Sequence, residues 1–337
     1  MNLYNKLGYI NIDWIVSNCD KNNISFIIII GARQIGKTFG TLKYMIENNK
    51  KFILMRRTQA EADFINSGVM NPFGGIDSSV SVKKLTQYTG GIYKDELIGV
   101  TMALSTVSKI RGFSGIDFTD LVFDEFIPET HVAKIKNEDD AFLNAIITLS
   151  GNREIEGKPP LRVWLLANSN NFSSPILSSM GLQNKLEKMM NKNQEYSMMA
   201  EKGILLILPQ SKDIISKRKQ TSIYKVIDSG SNFSKMAFGN EFSYNDNENV
   251  NSKNLSNYNE LFSVSQKFTV FISKDHTHLY VTKILDISKR KVIYSPTERG
   301  RKQILKTYVD IHNWYIRNLI FFDSLKTKTD FVNYFTF

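Results

Sequence analysis

Residues 31–38 read Gly-Ala-Arg-Gln-Ile-Gly-Lys-Thr: two glycines with four residues between them, then a lysine and a hydroxyl side chain. No other stretch constrains the fold as strongly. Such a loop holds an anion only if successive backbone N–H groups converge on it from the end of a strand and the start of a helix. The flanks supply both. Residues 24–30, Ile-Ser-Phe-Ile-Ile-Ile-Ile, are β-branched and nearly continuous, as in a strand buried on both faces of a parallel sheet. After the loop, Phe39, Leu42, Met45 and Ile46 recur at helical spacing.

The same alternation continues. Residues 51–55 predict a second buried strand ending in Arg56 and Arg57, and residues 97–104 another. Residues 120–125, Asp-Leu-Val-Phe-Asp-Glu, form an apolar strand that ends in two carboxylates. Residues 139–149 predict a helix, and 161–167 a further buried strand followed by a polar turn from Asn168. Strands alternating with helices predict an open α/β sheet whose ligand lies at the carboxyl ends of the strands.

Within that frame each residue of the loop has a physical task. Gly31 and Gly36 allow the turn, and Ala32, Arg33, Gln34 and Ile35 contribute backbone N–H groups to a nucleotide triphosphate. Lys37 reaches its β- and γ-phosphates, and Thr38 supplies a hydroxyl to Mg²⁺. A phosphate loop alone also suits a GTPase, a kinase or a silent binder, so the second acidic element decides. Asp124 is placed to hold the Mg²⁺ shell, and Glu125 beside it to polarise the water that attacks the γ-phosphate of ATP. The pair favours hydrolysis over binding alone. A phosphoryl-transfer transition state also calls for an arginine. The candidates are Arg33, Arg56, Arg57, Arg111 and Arg153, the last on a loop at 151–154 expected to project from the subunit edge.

At 337 residues the chain exceeds the usual size of one core, and two are expected. The boundaries drawn are 1–207 for the ATPase domain, 208–258 for a linker subdomain and flexible joint rich in Asn and Ser, and 259–337 for a smaller α+β domain. There, residues 268–272 predict the first strand and 303–322 a helix. A formal charge of +10 points to a polyanionic partner. The apolar run at 24–30 is too short to span a bilayer, and the N-terminus lacks the order of a signal peptide, so no membrane is expected as partner. Cys19 is the only cysteine, which excludes an intrachain disulfide and fits a reducing cytoplasm. The basic residues gather late: between 281 and 306, Lys283, Lys289, Arg290, Lys291, Arg299, Arg301, Lys302 and Lys306 face only Asp286 and Glu298. Such a surface neutralises phosphates without reading bases.

The order of the phosphate loop, Met55-Arg56-Arg57-Thr58, Arg111-Gly112, Ile116-Asp117, Leu121-Val122-Phe123-Asp124-Glu125-Phe126 and Leu165-Leu166-Ala167-Asn168 resembles a large-terminase ATPase. With Asn152-Arg153-Glu154 and the total length, the chain is similar to the genome-packaging ATPases of small protein-primed tailed phages, the Picovirinae/Salasmaviridae group. The resemblance implies an N-terminal P-loop ATPase domain of the ASCE (RecA/terminase-like) type and a degenerate RNase H-like C-terminal domain. It also implies an ATP-driven homo-oligomeric ring of five subunits, docked in the host cytoplasm on the portal vertex of a prohead. That ring translocates double-stranded DNA, with a packaging RNA as a further partner. By the same carry-over Arg153 is a trans-acting arginine finger, Arg111 a second interface arginine and Asn168 a coupling residue that senses the γ-phosphate. Lys289, Arg290, Lys291, Arg299, Arg301 and Lys302 are the expected nucleic-acid contacts. The strand at 268–272 lacks the acid a nuclease would place there, so binding without cutting is expected. The alternatives are a nuclease-competent terminase, a RecA-like helicase, or a nucleotide-switched assembly protein with little turnover.

Overall fold

The computed structural model describes residues 2–110, 113, 115–128, 135–168, 174–218, 220–222, 249–283 and 292–335. The chain divides into two compact units that are not contiguous in sequence. The first comprises Met1–Asn170 and Met189–Phe242, the second Asn171–Lys188 and Ser243–Phe337.

The elements run α1 (Ile12–Lys21), β1 (Phe26–Gly31), α2 (Lys37–Glu47), β2 (Phe52–Arg56), α3 (Gln59–Asn66), β3 (Ser81–Lys84), β4 (Gly90–Lys94), β5 (Glu96–Ala103), β6 (Asp120–Asp124), α4 (Glu138–Ser150) and β7 (Arg162–Asn168). There follow α5 (Pro175–Ser179), α6 (Gln183–Asn191), β8 (Tyr196–Met199), β9 (Ile204–Ile207) and α7 (Lys212–Arg218). The first unit is built on a sheet of order β3-β4-β5-β2-β6-β7-β1-β9-β8. Its centre is parallel: β1 lies between β7 and β9, and β6 between β2 and β7. The edges β3, β4 and β8 are antiparallel. Ile27, Ile28, Ile29 and Ile30 are fully buried, as a central strand covered on both faces requires. Their partners are as apolar: Ile28 stands opposite Leu165 and Leu206, Ile29 opposite Leu166 and Ile207. One hydrogen bond between buried polar groups locks β6 to β7, and a second holds its acceptor carboxylate in place. The Trp164 indole N–H donates to Asp120 at 2.9 Å, and the Thr119 hydroxyl donates to the other oxygen of that carboxylate at 2.7 Å. This register carries Asp124 and Asn168 to the same end of the sheet as the phosphate loop.

The second unit holds β10 (Tyr258–Val264), β11 (Phe268–Ser273), β12 (Leu279–Lys283), β13 (Ile293–Tyr294), α8 (Glu298–Thr307), α9 (Ile311–Ile316), β14 (Ile320–Phe322) and α10 (Leu325–Phe335). Its sheet has the order β13-β10-β11-β12-β14, an antiparallel meander with parallel strands on both flanks. Phe262, Phe268, Val270, Phe322 and Phe331 centre a separate core.

Two expectations are corrected here. The helix foreseen over 303–322 is two helices and a strand. Asn318 adopts a left-handed backbone (φ +55°) that stops α9, and the apolar residues after it pair with β12. The first strand of the second sheet is β10, not 268–272, and it carries Glu260. A bulge between Glu260 and Phe262 breaks its alternation, which removes the period-two signal by which a strand is read. The chain joining the units falls largely outside the described residues, while α7, within the expected linker, belongs to the first unit.

Candidate nucleotide site

The loop between β1 and α2 keeps its shape through backbone that few side chains tolerate. Gly36 has φ +93°, and at Gly31 a Cβ would come within 2.8 Å of both Ile35 and Pro209. Gln34 is left-handed as well, at φ +60°. Ala32 and Ile35 are buried and fasten the loop to the core.

Lys37 is buried, and its Nζ donates to the carbonyls of Gly31 (2.8 Å) and Ala32 (2.6 Å) and to Asn168 Oδ1 (3.2 Å). Burial pulls its ammonium down to about 7. Asp124 opposes that fall, and the charges of Arg33 and Arg218 add to it. A triphosphate entering the loop supplies the negative charge that keeps Lys37 protonated. Thr38 donates its hydroxyl to Asp124 Oδ1 at 2.8 Å. Burial raises the Asp124 carboxyl, while Arg56 and Thr38 counteract the rise. These two oxygens from α2 and β6 are hard donors of the kind Mg²⁺ selects.

Glu125 follows β6 in a left-handed conformation (φ +57°), which a non-glycine residue adopts at a cost. The next N–H, of Phe126, bonds the Leu166 carbonyl at 3.2 Å and fixes that turn on β7. Its carboxylate is thereby aimed at Arg56, whose Nη2 donates to it at 2.6 Å while Nη1 donates to Asp124 at 2.8 Å. One guanidinium thus bridges both acids. Arg57, one residue on, is buried instead and meets Glu138 at the start of α4 at 2.7 Å. Two of its nitrogens, Nη1 and Nη2, have no hydrogen-bond partner among the described residues. Arg33, Gln34, Gly36, Lys37, Thr38, Phe39, Asp124, Glu125, Ala167 and Asn168 line a cavity of about 350 Å³, within the range of small-ligand sites.

Of the residues foreseen from sequence, the loop, Asp124, Glu125 and Asn168 come together at this cavity. Arg153 does not line it. On the loop expected to project, the Arg153 side chain turns inward: it is 3% exposed, and its Nη2 donates to the carbonyls of Ile116 (2.8 Å) and Phe118 (2.7 Å), just ahead of β6. The surrounding loop is exposed, but this side chain satisfies backbone carbonyls inside the unit. Arg111 lies outside the described residues, as do Lys289, Arg290 and Lys291. Arg299, Arg301 and Lys302 stand on the first turns of α8, where Glu298 pairs with Lys302 at 3.3 Å and with Arg301 at 3.9 Å. His278 bonds the Tyr258 hydroxyl at 2.7 Å, and no group of three metal-ligating side chains occurs among the described residues. The double role of Arg56 is what sequence reading did not assign. Its signal is an arginine ending the strand beside the one that ends in Asp124 and Glu125.

A phosphate loop on the central strand β1, with an acidic strand end on β6 separated from it by β7 in a parallel sheet, defines a P-loop nucleotide-binding domain of the ASCE type. The chain belongs to the podovirus DNA encapsidation protein (Gp16) family, which it matches over residues 6–325, and it is a genome-packaging protein of that family. It is 27% identical over 302 residues to the DNA packaging protein of Bacillus phage B103, covering 86% of this chain and 88% of that one. Its fold is that of the bacteriophage Phi-29 viral genome packaging motor (TM-score 0.66, 19% identity, 97% and 98% of the two chains). The Phi-28 gp11 DNA packaging motor has it too (TM-score 0.65, 16% identity, 95% and 97%).

Proposed function

We propose that the chain hydrolyses ATP with Mg²⁺ at the loop 31–38 and couples the reaction to translocation of double-stranded DNA into a prohead through its portal. The observation that carries this reading is the convergence of Lys37, Thr38, Asp124, Glu125 and Asn168 from α2, β6 and β7. In it, the backbone N–H groups of the loop and Lys37 hold the triphosphate. Thr38 and Asp124 hold Mg²⁺, which when bound neutralises phosphate oxygens. Glu125 orients the attacking water and accepts its proton. To do so it must leave Arg56, because a carboxylate engaged by a guanidinium is a poor base. Asn168, already on Lys37, is placed to report the γ-phosphate to β7.

The working assembly of this proposal is a homo-oligomeric ring of five subunits on the portal vertex in the host cytoplasm, with a packaging RNA as a further contact. Arg153 is its trans-acting arginine and must exchange the Ile116 and Phe118 carbonyls for a neighbour's nucleotide. Arg111 serves the same interface. The basic face of α8, with the cluster at 289–291, binds nucleic acid by charge, and the second unit does not cut it. The test is steady-state ATP hydrolysis by the purified protein with DNA, with proheads and with both. A packaging motor gives its highest rate with both. Full stimulation by DNA alone would favour a helicase and sink the proposal.

A further inference from the structure

The phosphate loop is gripped from behind by a segment nearly two hundred residues away in sequence. Pro209, just after β9, packs on Gly31 so closely that a Cβ there would lie 2.8 Å from its ring. At the far end of α7, Arg218 Nη1 donates to the carbonyl of Arg33, at the crown of the loop, at 2.6 Å. Between them, Asp213 and Ile214 close on Gly8, where a Cβ would meet them at 3.1 and 3.2 Å. Gly8 belongs to an N-terminal turn that holds the loop's other half: the Ile10 N–H bonds the Ile35 carbonyl at 3.1 Å, and Tyr9 packs on Gly36. The Tyr4 hydroxyl ties turn and segment together by accepting from the N–H groups of Gln210 (2.8 Å) and Ser211 (3.1 Å).

We infer that Arg218 is a positioning residue for ATP binding, which holds the crown of the phosphate loop ready for the triphosphate and ties α7 to occupancy of the loop. A P-loop binds through N–H groups whose direction depends on the peptide planes behind them, so a donor on the Arg33 carbonyl orients the Arg33–Gln34 peptide. The bond is charge-assisted, as are those that Lys37 makes to the carbonyls of Gly31 and Ala32 at the start of the loop, and it is made at the crown. The sheet order separates this function from the chemistry. Asp124 and Asn168 end β6 and β7, on one side of β1, whereas α7 follows β9 on the other. Arg218 therefore bears on binding, not on the hydrolytic step. Because linkage is reciprocal, a nucleotide that prefers the ordered crown also steadies α7.

This inference rests on the reading of residues 31–38 as the ATP site, and its test separates the two. Arg218→Ala should raise KM for ATP about five- to tenfold, with kcat within about twofold of wild type. Arg218→Lys, which keeps a cationic donor without the fork, should recover part of the loss. Hydrogen exchange over 209–218 should slow when a non-hydrolysable ATP analogue binds the wild type, and this response should be absent in Arg218→Ala. A folded Arg218→Ala protein with wild-type KM and an intact exchange response overturns the inference, as does a fall in kcat at unchanged KM. If Arg218→Ala does not fold, Arg218→Gln takes its place under the same criteria. Lys37→Ala is the control. Lost nucleotide binding there, with Arg218→Ala unaffected, defeats this inference alone; retained binding defeats the reading of the site on which it rests.

Discussion

At the nucleotide end of the first unit four elements contribute Lys37, Arg56, Asp124 and Asn168, with Lys37 bonded to Asn168 at 3.2 Å and Arg56 to Asp124 at 2.8 Å. On the second unit Arg299, Lys302 and Lys306 come from one helix and line a shallow face with Glu298 and Gln303. Under the proposed function both regions offer cations to phosphate. The first does so with buried groups whose partners are fixed by strand register, so each substitution removes a defined contact. The second does so with solvated charges that water screens, so its effect depends on number and salt more than on position. Geometry is therefore worth most where solvent is excluded, and the two regions should respond very differently to the loss of one charge.

The largest contrast is expected at Lys37. Lys37→Ala removes the buried ammonium and should weaken ATP binding by about a hundredfold or more, measured by fluorescent-nucleotide titration. A loss under about threefold would place the first region with the second. Next comes the buried ion pair beside the site. Arg57→Ala strands Glu138 in the interior and should cost about 3–5 kcal/mol in urea unfolding, with KM for ATP unchanged in folded protein. A shift in KM without a change in stability would move Arg57 from the scaffold into the site. Arg153→Ala should cost less, about 2–3 kcal/mol, since it leaves two buried carbonyls without their donor. Mixed with Lys37→Ala subunits it should restore part of the ATPase activity, because each variant supplies what the other lacks. Stability loss without complementation would leave Arg153 as an internal anchor only. The smallest effect belongs to the basic helix. Arg299→Ala with Lys302→Ala and Lys306→Ala should flatten the log–log salt dependence of DNA binding by about two to three units, with hydrolysis in the absence of DNA unaltered.

The same contrast explains what was legible in the sequence. A phosphate loop is contiguous because consecutive N–H groups must face one anion, so residues 31–38 announce themselves, and the strand ending in Asp124 and Glu125 announces itself for the same reason. Arg56 and Arg57 are indistinguishable as letters. They part because successive residues of an extended chain point to opposite faces, one to the carboxylates and one into the core. Arg153 read as a surface arginine because its acceptors, Ile116 and Phe118, lie more than thirty residues away, and carbonyls leave no mark in sequence. Arg218 is hidden by a longer separation still. In the second unit, the bulge at Glu260 disguised β10. The aromatic residues of α9 and β14 blurred helix into strand, because Trp314, Tyr315, Phe321 and Phe322 suit either period.

In the proposed function the Asp124–Glu125 strand end makes this loop a hydrolytic site. Glu125→Gln keeps the shape and removes the base, and the direct measurement is ATP turnover with proheads and DNA alongside nucleotide affinity for that variant. Turnover should fall by about a hundredfold or more, with affinity within about threefold of wild type. Turnover equal to wild type, with affinity intact, would contradict it.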